Sequence, residues 1–400
     1  MSYPDKGTES KNILVICPGK IFPVHTGSQL RMYYMIKELS KGHKVDVAFL
    51  ALTNHDRQSQ EEMEAICQRF FPIVFQKAIC TLANYCSKAL LIHPLVFYHG
   101  LPMYKKRLRE IVGRENYDII QFEYWYPRTA IAKLPYPAIL AIDTHNVTSE
   151  KYRRGLIAQK AWFQDRRVRH FRRLEMKYTR MNDVIISISE DDAAFFKHHF
   201  PDKSHLTIPI GQDLDGYLDY PERQDKGNII LFYGGLNSVS NTEALFRLVA
   251  NIFPEIEKTI PDVKLWIVGS NPTTAVKALD DRENIKVFGF VEDIRPTVSQ
   301  CKLFLLPLRI AAGFRTRLVE VMAMGVPIVG THAGLDSLKP THKEQVFISD
   351  NDSEMAKYAT SIIKDDHLRR KMGQACRALV KEHFSVESTF SVLNEYYQAL

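Results

Sequence analysis

The stretch LLPLRIAAGFRTRLVEVMAMGVPIVG, residues 305–330, decides the fold. An apolar, strand-like run ends at Pro307, and a loop over residues 309–313 contains two alanines and a glycine. A helical pattern begins near Phe314, with Leu318, Val319, Met322 and Ala323 at helical spacing. It stops at Gly325, and Pro327, Ile328 and Val329 open a second buried strand. Strand, glycine loop, helix and strand make a βαβ unit. Its helix begins with Arg315 and Arg317, so backbone N–H donors, the helix dipole and two guanidinium groups all favour an anion there. Glu320 falls on the same helical face, one turn deeper, where a carboxylate suits a neutral polyol such as a ribose and not a phosphate. These residues together read as a site for a nucleoside diphosphate.

The same alternation runs outward in both directions. Residues 12–17 (NILVIC) form a short continuous apolar run, as expected of a strand buried on both faces in a parallel sheet. A loop with two prolines and two glycines follows, then a helical pattern over 29–40 and a strand over 44–50. The loop ends at His25, Thr26, Gly27 and Ser28, with Arg31 in the next turn, at the position where open α/β sheets hold ligands. Further strands are expected at 117–122, 138–142 and 183–189, and the segment 57–113 is expected to be mostly helical. His145, in the run Asp143-Thr144-His145-Asn146, sits at the carboxyl end of the 138–142 strand. After a polar stretch the plan restarts, with strands at 229–233, 263–268, 285–288 and 303–307. Gly234 and Gly235 form the turn after the first of these. Helices are expected at 241–251, 353–382 and 386–400.

Four hundred residues, 45% hydrophobic and 25% charged, point to two folded domains and exclude wholesale disorder. The expected boundaries are a Rossmann-like domain over 1–210, a linker over 211–227, a second Rossmann-like domain over 228–382, and a terminal helix over 383–400 that returns to the first domain. The six cysteines have no metal-site spacing and read as reduced and mostly buried, so no metal site is expected. No secretory leader and no long uncharged apolar run is present, which makes a cytoplasmic protein the expectation.

Two further features bear on partners. Residues 83–103 are apolar and run into Lys105, Lys106, Arg107 and Arg109, a pattern open to two readings. One is a buried helix pair with a solvated face; the other is docking at the inner face of an anionic membrane. Residues 151–180 carry eleven Lys or Arg against Asp165 and Glu175. Sparse aromatic interleaving and the absence of any nucleic-acid motif favour a solvated face near a phosphate-bearing substrate or membrane over nucleic acid.

Taken in order, these residues resemble the GT-B glycosyltransferases, and most closely the retaining family 4, which contains sucrose synthase-like and mannosyltransferase-like enzymes. In the first half the resemblance rests on Pro23-x-x-x-Gly27-x-x-x-Arg31, Gly42-His43-Lys44-Val45, and Asp143-x-His145-Asn146 with Ser149 and Arg153-Arg154. In the second half it rests on Phe232-x-Gly234, Asn241, Val268-Gly269, Phe288-Gly289-Phe290-Val291 and Gly313-x-Arg315-x-Arg317-x-x-Glu320-x-x-Ala323-x-Gly325-x-Pro327.

The resemblance implies two Rossmann-like, doubly wound parallel-sheet domains facing an interdomain cleft, and a nucleotide-diphosphate sugar, UDP- or GDP-linked, as donor. It implies that Arg315 and Arg317 neutralise the diphosphate, that backbone near Gly27 and Thr316 completes the cradle, and that Glu320 holds the ribose. His145 would approach the transferred sugar, and Phe290 would lie where the backbone meets the nucleobase. Gly234, Gly235, Gly313 and Phe314 complete the implied nucleotide-binding set. The acceptor would be a glycan, a lipid-linked sugar or a small molecule, with no metal and no other cofactor.

Two departures stand out. Ala312 occupies the position of the first acid of the family's paired motif, eight residues before Glu320, and the usual Arg and Lys are missing from 236–242. Three functions therefore stay open: a retaining glycosyltransferase, an inactive GT-B protein that binds a nucleotide sugar or a partner, and a nucleic-acid binder using 151–180.

Overall fold

The computed structural model describes residues 10–24, 26–51, 57–75, 80–81, 85, 93–131, 134, 136–150, 152–153, 164–223, 225–310 and 314–400. The chain divides into two compact units, one of Met1–Gly211 with Val386–Leu400 and one of Gln212–Ser385.

The first unit is built on seven parallel strands: β1 (Asn12–Cys17), β2 (Lys44–Ala51), β3 (Arg69–Val74), β4 (Ile119–Glu123), β5 (Ile139–Asp143), β6 (Val184–Ser187) and β7 (Ser204–Thr207). Their spatial order is β3-β2-β1-β4-β5-β6-β7, so the winding reverses between β1 and β4. Both faces are covered, which is why the strand sequences are continuous apolar runs. Along β1, Leu14 and Ile16 join one core while Ile13, Val15 and Cys17 join the other. The first core is closed by the helices Pro94–Gly100, Pro102–Val112, Gln164–Arg180 and Glu190–His199, through Tyr98, Tyr104, Leu108, Phe171 and Phe196. The second is closed by helices Gly27–Gly42 and Arg57–Ile66 and by the terminal helix Val386–Ala399, which contributes Phe390, Leu393 and Tyr397.

The second unit has six parallel strands: β8 (Ile229–Tyr233), β9 (Lys264–Val268), β10 (Ile285–Gly289), β11 (Leu303–Leu306), β12 (Ile328–Gly330) and β13 (Val346–Ile348). Their order is β10-β9-β8-β11-β12-β13, with the reversal between β8 and β11.

Three expectations need refinement. The segment 57–113 is mostly helical among its described residues, as expected, but it also holds a strand that was not expected: RFFPIV is β3, paired with β2 at the sheet's outer edge, where Pro72 is tolerated because one side has no ladder to complete. Residues 76–79, 82–84 and 86–92 of that segment lie outside the described residues. The helix expected at 241–251 starts at Val239, passes through a π turn at Leu248–Ile252 and continues as Phe253–Thr259. The wider turn falls just before Pro254, which has no N–H to donate and would crowd an ordinary helical carbonyl. The helix expected at 353–382 is two, broken at Asp365, whose side chain caps the second helix by accepting from Leu368 N.

The loops at the carboxyl edge of the second sheet are stitched together through backbone. Gly234 N donates to Val268 O at 3.0 Å, Leu236 N to Ser270 O at 2.9 Å, and Gly269 N to Gly289 O at 2.8 Å. Gly269 has φ +155, and a Cβ there would fall 1.6 Å from Gly234 O. The residue must lack a side chain for the two loops to meet. Gly269→Ala should therefore destabilise the second unit by about 3 kcal/mol or more, read as a lower urea midpoint at unchanged slope. An unchanged midpoint would show that the loops separate without cost.

Candidate active site

In the second unit, the helix Thr316–Ala323 follows β11 with Arg315 as its N-cap, in extended conformation and with no capping side-chain hydrogen bond. Leu318 N donates back to Arg315 O at 3.1 Å, which leaves the first N–H groups of the helix, those of Thr316 and Arg317, to face an external acceptor. Arg315 and Arg317 are half-buried, and among the described residues neither makes an ion pair. Burial depresses the Arg315 pKa, an effect that an anionic partner would reverse.

Arg317 lies over the Tyr233 ring at 4.9 Å, and the Tyr233 hydroxyl donates to Glu320 Oε2 at 3.2 Å. Burial pushes the Glu320 carboxyl above its ordinary value, while Tyr233 and Arg317 pull it back. Burial and the Glu320 charge push the Tyr233 phenol up to about 12, so it stays a donor. Tyr233 ends β8 and Glu320 belongs to the helix after β11; the reversal in strand order brings them together.

The remaining expected residues of this unit spread along the same carboxyl edge. Gly234 has its N–H committed to Val268, and Gly235 O accepts from Asn241 Nδ2 at 3.0 Å. Phe290 follows β10 and is 74% exposed. Phe314 packs on Phe384, with ring centroids 5.6 Å apart. Thr316 is the first helical residue. Gly313 and Ala312 lie outside the described residues.

In the first unit, His145 sits just past β5 and is 3% exposed. Its Nε2 lies 2.6 Å from Glu123 Oε2, at the end of β4. Glu123 Oε1 accepts from Gln121 Nε2 at 2.6 Å, and Gln121 Oε1 accepts from the Tyr397 hydroxyl at 2.6 Å. Beside this chain, Asp143 Oδ2 is 2.8 Å from Arg31 Nε and 2.7 Å from Nη2, and all of these groups are buried. A buried ion pair of this kind is costly to break from one side, on the order of 3–5 kcal/mol. Arg31 also donates to Pro209 O and lies 5.6 Å from the Phe390 ring centre.

His145 (φ 55) and Tyr124 (φ 62) both adopt left-handed backbone, a conformation costing about 1–3 kcal/mol per residue outside glycine. Their surroundings hold them there: Asp143 Oδ1 accepts from His145 N at 3.1 Å, and the two rings stack at 4.1 Å and 6°. The Tyr124 hydroxyl meets Ser28 Oγ at 2.7 Å. Gly27 opens the helix Gly27–Gly42, and a Cβ there would meet nothing within 4 Å.

Ligand atoms of Glu123, Asp143 and His145 fall within 4.8 Å of one another, close enough to share a cation. Arg31 already occupies Asp143 Oδ2, and Glu123 spends one oxygen on Gln121 and the other on His145. The set therefore reads as a buried hydrogen-bond network that fixes a histidine.

Residues 227–365 match the family model for Glycosyl transferases group 1. An uncharacterized 44.6 kDa protein in the cps region of Klebsiella pneumoniae is 21% identical over 397 residues, 95% of this chain and 98% of its own length. N-acetyl-alpha-D-glucosaminyl L-malate synthase of Bacillus anthracis is 26% identical over 176 residues, 42% of this chain and 45% of that protein. Among solved structures, Anabaena HepE in complex with UDP superposes with a TM-score of 0.66 at 16% identity, covering 97% of this chain and 100% of that one. Sucrose-phosphate synthase from Thermosynechococcus elongatus gives 0.64 at 16% identity, covering 97% and 99%. This chain has the GT-B fold, and its residues 227–365 are similar to the glycosyl transferases group 1.

In this GT-B protein, sequence reasoning missed Glu123, Tyr124 and Tyr233. Burial and the neighbouring Asp143 push the Glu123 carboxyl up, against the pull of its bond to His145. A raised folded pKa means that the native state holds a proton the unfolded chain would release. Its contribution to stability is present at acid pH and lost as pH rises through the raised value. Glu123→Gln should remove that dependence, flattening unfolding free energy against pH above the ordinary carboxylate range. Parallel profiles for the two proteins would contradict the assignment.

Proposed function

We propose that this protein is a retaining glycosyltransferase that moves a sugar from a nucleotide-diphosphate donor, a uridine diphosphate sugar, to a glycan, lipid-linked or small-molecule acceptor. The observation that carries the reading is the open N-terminus of Thr316–Ala323, flanked by the half-buried Arg315 and Arg317 with Glu320 one turn deeper. The named relatives support it: a malate glucosaminyl synthase, and a HepE structure with UDP bound. The relative from a cps region further suits a place in polysaccharide assembly.

As the glycosidic bond breaks, negative charge builds on the departing β-phosphate. Two guanidinium groups and the first-turn amides meet that charge in fixed positions, the arrangement that gives the largest catalytic return. With these cations supplied by the chain, the diphosphate needs no metal to neutralise it. Glu320, positioned by the Tyr233 hydroxyl and lying beside Arg317, accepts from the ribose hydroxyls. In the first unit, His145 donates from Nε2 to Glu123 Oε2, the tautomer that leaves Nδ1 as the ring acceptor for a sugar hydroxyl. The donor phosphate serves as base for the incoming acceptor, which keeps the configuration at the anomeric carbon.

Arg315→Ala should lower kcat by about a hundred- to a thousandfold, equivalent to roughly 2.7–4 kcal/mol. UDP should raise the melting temperature of the unaltered protein, because a ligand of the native state stabilises it by mass action. Near-normal turnover by Arg315→Ala would remove the assignment. A UDP-induced shift with no turnover of any common donor would favour an inactive nucleotide-sugar binder, the reading to which Ala312 lends support.

A further inference from the structure

The helix Gln164–Arg180 presents Arg166, Arg169, Arg173, Lys177 and Arg180, all exposed, and none of the five makes an ion pair among the described residues. At 3.6 residues per turn they fall within an arc of roughly 80° and span about 21 Å of one helix face. Neighbours four residues apart carry like charge and repel, so the array weakens its own helix. Arg172, beside the stripe, is instead drawn towards Glu150 at 3.9 Å and over the Phe195 ring at 5.4 Å. A shallow depression of about 540 Å³ runs along the stripe, with Met176 and Phe200 as its apolar lining.

The stripe belongs to a wider asymmetry. The four helices on its side of the first sheet carry twelve Lys or Arg against six acids; the three on the opposite side carry four against six. On the same side, helix Pro102–Val112 exposes Met103, Lys106, Arg107 and Arg109. Cations on two helices, with Met176 lining the depression on one and Met103 exposed on the other, suit a broad anionic surface with an apolar interior.

A single-stranded nucleic acid would use free rings for stacking. Phe171 is buried, and Tyr178 is stacked on Trp125 (6.1 Å, 4°) beneath Lys177.

We propose that this face of the first unit docks on a bilayer containing anionic phospholipid, with Arg166, Arg169, Arg173, Lys177 and Arg180 against the headgroups. The docking face is independent of the donor site in the second unit, and the test keeps the two apart. Full-length protein is sedimented with vesicles of phosphatidylcholine alone or with phosphatidylglycerol added, and UDP binding is measured in parallel. Binding should require phosphatidylglycerol, weaken with salt, and fall about fivefold for each cation removed, reaching roughly three-thousandfold in R166A/R169A/R173A/K177A/R180A. That variant should still bind UDP as the unaltered protein does. Lys264→Ala combined with Lys277→Ala, exposed cations of the second unit, should leave vesicle binding unchanged. Equal binding to neutral vesicles, vesicle binding unaffected by the five substitutions, or single-stranded DNA displacing the protein from vesicles at matched phosphate would each overturn the proposal.

Discussion

Every strand of each sheet runs parallel to its neighbours, and this one constraint arranges the chemistry. Parallel pairing buries both faces of the sheet and sends every carboxyl end to the same edge. The only side-chain positions that are both well held and open to a ligand are then at that edge, beside the reversal in winding. In the first unit the reversal places Glu123 of β4 against His145 after β5, with Arg31 from the helix after β1 fastening Asp143. In the second it places Tyr233 of β8 against Glu320 behind β11. Each unit thus carries a carboxylate, raised by burial, whose partner comes from a different strand connection.

The terminal helix Val386–Ala399 ties that edge to the rest of the first unit. Phe390 lies under the Arg31 guanidinium and Tyr397 donates to Gln121, which donates in turn to Glu123. A helix remote in sequence therefore helps set how Glu123 presents itself to His145. The left-handed backbone at Tyr124 and His145 is sustained by this network and by the stacked rings, a cost met by surrounding packing.

Much of the fold was legible because buried parallel strands are short apolar runs punctuated by glycine and proline, and the helix with Arg315, Arg317 and Glu320 announces itself by spacing alone. Strand β3 was not legible: RFFPIV sits between helical patterns, and its Pro72 argues against a strand unless the strand is known to be an edge. Glu123 and Tyr233 were missed for a different reason. Glu123 follows an apolar run and reads as the first residue of the next loop, Tyr233 reads as the end of a buried strand, and their partners are 22 and 87 residues away. Local pattern carries no trace of such a pairing; only the strand order does.

The central claim is that the helix Thr316–Ala323 holds a nucleoside diphosphate with Glu320 on its ribose. It is tested most directly by a thermodynamic cycle in calorimetry, titrating the unaltered protein and Glu320→Gln with UDP and with its 2′,3′-dideoxyribose analogue. The account predicts that removing the hydroxyls weakens binding to the unaltered protein by about tenfold or more, the value of a hydrogen bond to a charged group, and has little further effect on Glu320→Gln. If the two losses simply add, or if UDP does not bind at all, the carboxylate and the ribose do not meet and the account is wrong.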